Sequence, residues 1–196
     1  MNNKRVEFLS KFSIYLKYKK MEFSKYGRFS NIYKYDNDKL LKLFNNMRNH
    51  ELEKFEKMCD FDLHSFANPK ELVFIRNNFF GYIMDKKNGL MLDDLSDLIS
   101  IRDFVSNLDK VEDDLFKLSI NNFILFDLHE QNILYNQIAN ELTILDMDDY
   151  WCKICENNFD GKSIFNYIIA LAEDKINMKI NSLKDFREFT KNKKLF

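Results

Sequence analysis

Proline and glycine are scarce in this 196-residue chain: one Pro (Pro69) and four Gly, at positions 27, 81, 89 and 161. That scarcity excludes a flexible or proline-rich linker, and with no internal repeat a single domain of one or two lobes is expected. Cysteine is also sparse. Cys59, Cys152 and Cys155 make no disulfide framework, and the lone Cys152-x-x-Cys155 lacks the second pair that a zinc site needs. Neither sign of charge dominates: 30 Lys and Arg face 31 Asp and Glu, for a net charge of −1. This argues against a protein whose main task is to neutralise nucleic-acid phosphates. No apolar run is long enough to span a bilayer. Met1-Asn2-Asn3-Lys4-Arg5 is followed by no apolar core and small-residue cleavage site. The expectation is a cytoplasmic chain, delivery into another cell left open, with no nucleic-acid or membrane partner.

What the chain has in quantity is apolar bulk. Hydrophobic residues make up 45%, including 20 Phe and 9 Tyr, which is ample material for a core. Residues 5–19 carry apolar positions at roughly helical spacing. Phe29–Tyr35 and Lys39–Phe44 read as two strands joined by an Asp36-Asn37-Asp38 turn. Residues 49–61 return to helical period through Leu52, Phe55, Met58 and Cys59. Glu71–Ile75 and Phe79–Met84 form a second hairpin across Arg76-Asn77-Asn78. Leu92–Asn122 is helical, then come short strands at Phe123–Phe126, Ile133–Tyr135 and Leu142–Leu145, and a helical end over Ser163–Phe189. Strands first and helices later is an α+β order. The Lys- and Arg-rich residues 1–28 read as a solvated face, with docking of an acidic partner as the alternative.

Chemistry concentrates in Asp127-Leu128-His129-Glu130-Gln131-Asn132, a polar insert between apolar Phe123–Phe126 and Ile133–Leu134. Asp146 follows in Ile144-Leu145-Asp146-Met147-Asp148, also after an apolar strand. Two acidic residues and an Asn on adjacent loops offer the oxygen ligands that a hard divalent cation takes. A third carboxylate beside them could accept a proton.

These residues resemble the protein-kinase family. Asp127-Leu128 and Asn132-Ile133-Leu134 stand at the family's five-residue spacing of catalytic Asp and metal-binding Asn, and Asp146 falls at the strand-end Asp. Gly27-Arg28-Phe29-Ser30-Asn31-Ile32-Tyr33-Lys34 is similar to the second half of the glycine-rich loop. Leu40-Leu41-Lys42-Leu43-Phe44 resembles the strand bearing the phosphate-pairing Lys, and Glu51-Leu52-x-x-Phe55 the helix supplying its Glu partner. Asn68-Pro69 and Gly81-Tyr82-Ile83-Met84-Asp85 resemble the approach to the adenine hinge.

The resemblance implies a compact bilobal kinase-like fold: a β-sheet lobe over about 1–85 with an N-terminal helical extension, and a reduced, mainly helical lobe over about 86–196. It implies an ATP-dependent phosphotransferase of atypical Ser/Thr type using Mg²⁺, or Mn²⁺, and a hydroxyl-bearing acceptor, a protein. Asp127 would serve as base, Lys42 with Glu51 would hold the phosphates, and His129 would sit at the γ-phosphate. Gly27, Phe29, Ser30, Ile32, Lys42, Met84 and Asp85 would bind nucleotide, and Asn132, Asp146 and Asp148 the metal. Glu53 and Glu56 compete with Glu51 as partner of Lys42.

The pattern also departs from the family. Leu125-Phe126 stand where His-Arg precedes the catalytic Asp, Lys25 and Ser30 replace two loop glycines, and no Ala-Pro-Glu follows. Two alternatives stay open, a small-molecule kinase of aminoglycoside or choline type and a catalytically silent pseudokinase. Asp146-Met147-Asp148 also resembles a dehalogenase-type phosphatase motif, but the stretch after it is too short for that fold's sheet.

Overall fold

The computed structural model describes residues 5–21, 29–94, 101–121, 123–124, 130–147 and 151–152. The fold is α+β and divides into two units, Met1–Asp62 with Ala67–Lys86, and Leu63–Phe66 with Lys87–Phe196.

The first unit is built on a five-stranded sheet. Its strands are β1 (Arg5–Phe8), β2 (Ser30–Lys34), β3 (Lys39–Phe44), β4 (Pro69–Ile75) and β5 (Asn78–Asp85), in spatial order β1-β4-β5-β3-β2. Both expected hairpins form, each set by its turn. In the first, the Asp36 carboxylate accepts the Asp38 N–H at 2.8 Å, the local bond that makes Asp a turn former. In the second, Arg76 and Asn77 have φ of 50° and 64°. Positive φ at both central residues is the two-residue hairpin geometry that matches strand twist.

The sheet is buried on both faces, because successive side chains alternate. Leu41, Leu43, Tyr33, Val73, Ile75 and Ile83 form one core with Ile14 and Tyr18 from α1 (Lys11–Lys17) and its C-cap. On the other face Phe55 of α2 (Leu52–Cys59) packs against Phe44, Phe79 and Tyr82, ring centroids 5.5, 5.2 and 5.5 Å away.

The helix expected over residues 5–19 is corrected by the structure. Residues 5–8 form β1, parallel to β4 in the register Arg5↔Leu72 to Phe8↔Ile75. Val6 and Phe8 alternate inward, while Arg5 lies over the Phe74 ring at 3.7 Å and bonds Glu7 and Asn77. The helix starts only at Ser10, whose side chain and that of Ser13 form a reciprocal cap.

Gly81 sits where β5 presses on β3. A Cβ there would lie 2.0 Å from the Lys42 carbonyl oxygen. Gly81→Ala must therefore push the two central strands apart. We expect a loss of about 1–3 kcal/mol, as overpacking typically costs, read as a lower urea midpoint at unchanged slope.

One buried group, Tyr33, and one half-buried group, Cys59, set an alkaline limit. Burial, then the neighbouring Tyr15, pushes the Tyr33 hydroxyl from its ordinary 10.0 up to about 12. Burial, then Asp60, pushes the Cys59 thiol from 9.0 up to about 12. The folded chain keeps protons that the unfolded chain releases, so these contributions are whole below pH 9 and are lost as pH rises from 9 toward 12. Urea midpoints should hold through pH 8 and fall above 9, and Tyr33→Phe should flatten part of that fall.

The second unit rests on α3 (Ile101–Ile120). Asn107, Val111, Asp114, Leu115 and Leu118 make its buried face. A short 3₁₀ turn at Leu92–Asp94 precedes it. β6 (Leu90–Met91), β8 (Ile133–Asn136) and β9 (Glu141–Ile144) form a three-stranded sheet, and β7 (Phe123–Ile124) pairs antiparallel with β10 (Trp151–Cys152). The strands β6 and β10 were not expected. Two residues each, they are too short to carry a periodic signal. The helical end expected over 163–189 lies outside the described residues.

Candidate functional site

Lys42 is the informative residue of the first unit. It stands at the centre of β3 between Leu41 and Leu43, yet it is only 4% exposed. A solvated strand lysine would not be. Its register partners are Ile32 on β2 and Tyr82 on β5, and its ammonium lies 6.0 Å from the Tyr82 ring centroid. Pairing by register fixes which side chains share a face. Ser30 lies opposite Phe44, and Met84 opposite Leu40, both two residues from the Lys42 level. So Ser30, Ile32, Lys42 and Met84 share one face of the sheet, the face on which α2 packs. Phe29, just before β2, is exposed, and Asp85 ends β5 exposed opposite Lys39. These two do not join that face.

Glu51 closes a 3₁₀ turn, Asn49–Glu51, leading into α2. Its carboxylate is held by Lys54 at 2.8 Å, His50 at 3.3 Å and Arg48 at 3.4 Å. Glu53 points outward to Lys57 at 2.9 Å. Among the described residues the ion pairs of Glu51 are these local ones, and its pairing with Lys42 remains part of the proposed function.

In the second unit the β8–β9 hairpin positions the metal candidates. Ile133 pairs with Ile144, and one step further out the Leu145 N–H donates to the Asn132 carbonyl at 2.7 Å. At the open base of the hairpin Asn132 therefore lies level with Leu145, the residue before Asp146, and both Asn132 and Asp146 are half-buried. Asp146 has φ of 53°, a left-handed backbone that few non-glycine residues adopt. A carboxamide oxygen and a carboxylate are hard donors, the set that fits Mg²⁺ or Mn²⁺. No group of three or more His, Cys, Asp or Glu gathers among the described residues, so the fit rests on this pair. Gly27, Asp127, His129 and Asp148 lie outside the described residues.

Two polar residues on the buried face of α3 escaped the sequence reading. Asn107 accepts the Leu142 N–H at 3.0 Å and donates to Asn140 at 2.9 Å. Asp114 accepts the His64 and Ser65 N–H groups at 2.7 and 2.6 Å. The available signal was positional: 107, 111, 114 and 118 fall on one helical stripe, and a charge on an apolar stripe calls for a buried partner.

No protein-family model matches the chain, and no curated protein matches it. Among solved structures it is similar to the kinase PK-1 of Cydia pomonella granulovirus, at 18% identity and a TM-score of 0.54. The match covers 76% of this chain and 60% of that one, so the chain spans less than two thirds of the viral kinase's length. No described helix is long and apolar enough to cross a membrane. The likeness speaks for the fold, and the fold is a protein-kinase-like α+β fold in two units.

Proposed function

We propose that this chain is a phosphotransferase of atypical Ser/Thr protein-kinase type, moving the γ-phosphate of ATP to a hydroxyl on a protein acceptor. The observation that carries the reading is Lys42, a buried lysine on the sheet face it shares with Ser30, Ile32 and Met84. A cation held there suits the α- and β-phosphates of a nucleotide, with Glu51 as the carboxylate that steadies it. Met84 and Asp85 at the end of β5 supply an apolar contact and backbone groups for the base, and Gly27, Phe29 and Ser30 bring backbone N–H groups to the phosphates. Asn132 and Asp146, joined by Asp148, would hold the divalent metal, which when bound spreads the charge of the transferring group. The new bond joins the acceptor oxygen to the γ-phosphorus, and the bond from that phosphorus to the β–γ bridging oxygen breaks. Asp127 takes the hydroxyl proton and ADP leaves. His129 neighbours the γ-phosphate.

A thermal melt tests the reading. Ligand at one hundred times its Kd adds about 2.7 kcal/mol. In a domain of this size that corresponds to roughly 5–10 °C in Tm. Wild type should show this shift with Mg-ATP, and Asp146→Ala should lose its metal-dependent part. No shift at millimolar Mg-ATP would remove the mechanism and leave the fold as a binding scaffold.

A further inference from the structure

We propose that Asp114 is a positioning residue: through one run of hydrogen bonds it sets the backbone that presents Asn132 and Asp146. The idea deepens the proposed metal site and rests on it. The side chain of Asp114 is fully buried, an expensive place for a carboxylate unless donors surround it. Its Oδ2 accepts both the His64 and the Ser65 N–H, and its Oδ1 accepts from the Lys117 ammonium at 3.1 Å. The peptide it holds then acts on the hairpin. The Ser65 carbonyl accepts the Ile144 N–H at 2.7 Å, and Phe66 and Ile144 form a parallel bridge. Ile144 is the last residue of β9, two before Asp146. The next N–H, that of Leu145, donates to the Asn132 carbonyl at 2.7 Å.

Each member of this run orients the next. The carboxylate fixes the 64–65 peptide, that peptide fixes the end of β9, and the end of β9 sets where Asp146 and Asn132 leave their strands. Hydrogen bonds in such a chain polarise one another. A simple clamp between helix and loop would stop at Ser65. Here the loop's other edge is the acceptor for the strand that bears the metal candidate. Groups behind metal ligands fix the ligands' orientation, and their loss commonly weakens metal binding 10–100-fold.

The test uses the full chain as wild type, Asp114→Ala, Asp114→Asn and Asp146→Ala. Amide hydrogen exchange is read at Ile144 and Leu145, with Leu41 and Ile83 of the first unit as references. In Asp114→Ala the first two should exchange about tenfold faster or more, the references unchanged, because local opening follows the lost anchor. Asp114→Asn keeps an oxygen that can take both N–H groups and should restore protection. Mn²⁺ binding with ATP present, read by electron paramagnetic resonance, should weaken about tenfold in Asp114→Ala, recover in Asp114→Asn and vanish in Asp146→Ala. Unchanged exchange at Ile144 and Leu145, or equal acceleration at the references, overturns the proposal. So does normal Mn²⁺ binding in Asp114→Ala when wild type binds and Asp146→Ala does not. If wild type binds no Mn²⁺ yet the exchange pattern holds, the metal reading fails and the positioning stands. If Asp114→Ala does not fold, wild type decides. Its Ser65, Ile144 and Leu145 amides should open in one step, and an Ile144 amide that stays closed while Ser65 opens overturns the proposal.

Discussion

Asp127→Ala is expected to slow ADP formation from Mg-ATP by a factor on the order of 10²–10⁴, the usual contribution of a positioned general base, while the Mg-ATP thermal shift stays close to wild type. The residue lies between two anchored points. β7 ends at Ile124, held by its pairing with Trp151, and a 3₁₀ turn over Glu130–Asn132 delivers Asn132 to the base of the β8–β9 hairpin. In sequence Asp127 stands five positions before Asn132. Binding should survive because the groups proposed to hold the nucleotide, Lys42, Ser30, Ile32 and Met84, belong to a different unit and are untouched. The two readouts separate the roles. Lost turnover with the thermal shift retained is the signature of a proton acceptor. Turnover at the wild-type rate would show that Asp127 is not the base. Loss of both would mark it as part of the binding or folding apparatus.

The parts of the fold legible in the sequence are those decided by short-range chemistry. Asp36-Asn37-Asp38 carries its own turn bond, and Asn77 tolerates the positive φ that the second hairpin needs. Alternation along β3 is equally local, so a lysine at 42 had to share its face with Leu40 and Phe44. What alternation does not say is whether that face is covered. Lys42 shares that face with Tyr82 and with the rings on which Phe55 of α2 packs, and Tyr82 and Phe55 arrive from elsewhere in the chain. β1 was illegible for the same reason. Four residues have no period long enough to outvote a helix, and the partner that makes them a strand, β4, begins only at Pro69. Its parallel pairing can be inferred only from three dimensions. At the candidate metal pair, the Asp127-to-Asn132 spacing was readable. That Asn132 comes level with the residue before Asp146 is a matter of hairpin register, Ile133 against Ile144. The role of Asp114 was least accessible, since its partners are backbone amides some fifty positions away, and backbone amides leave no mark in a sequence.

Phe55→Ala should cost about 3–5 kcal/mol, the range for removing a fully buried aromatic ring. That is a large share of the 5–15 kcal/mol that typically separates folded from unfolded chains. Phe55 has no exposed surface and touches three rings, those of Phe44, Phe79 and Tyr82. Its loss removes apolar burial and opens a cavity between α2 and the sheet. Phe55→Leu, which refills most of that volume, should cost markedly less. Urea denaturation of the two variants at a common temperature gives the comparison. The consequence extends to the site. Tyr82, one of the three rings, lies beneath the Lys42 ammonium, and Phe44 is on the same strand and face two residues on. If α2 packing fixes Lys42, the residual folded population of Phe55→Ala at low temperature should bind metal-free ATP more weakly than wild type, beyond what its unfolded fraction explains. Phe55→Leu should fall between them. Equal affinity of the folded fractions would mean that β3 alone holds Lys42 in place, and that α2 contributes to stability without shaping the nucleotide face.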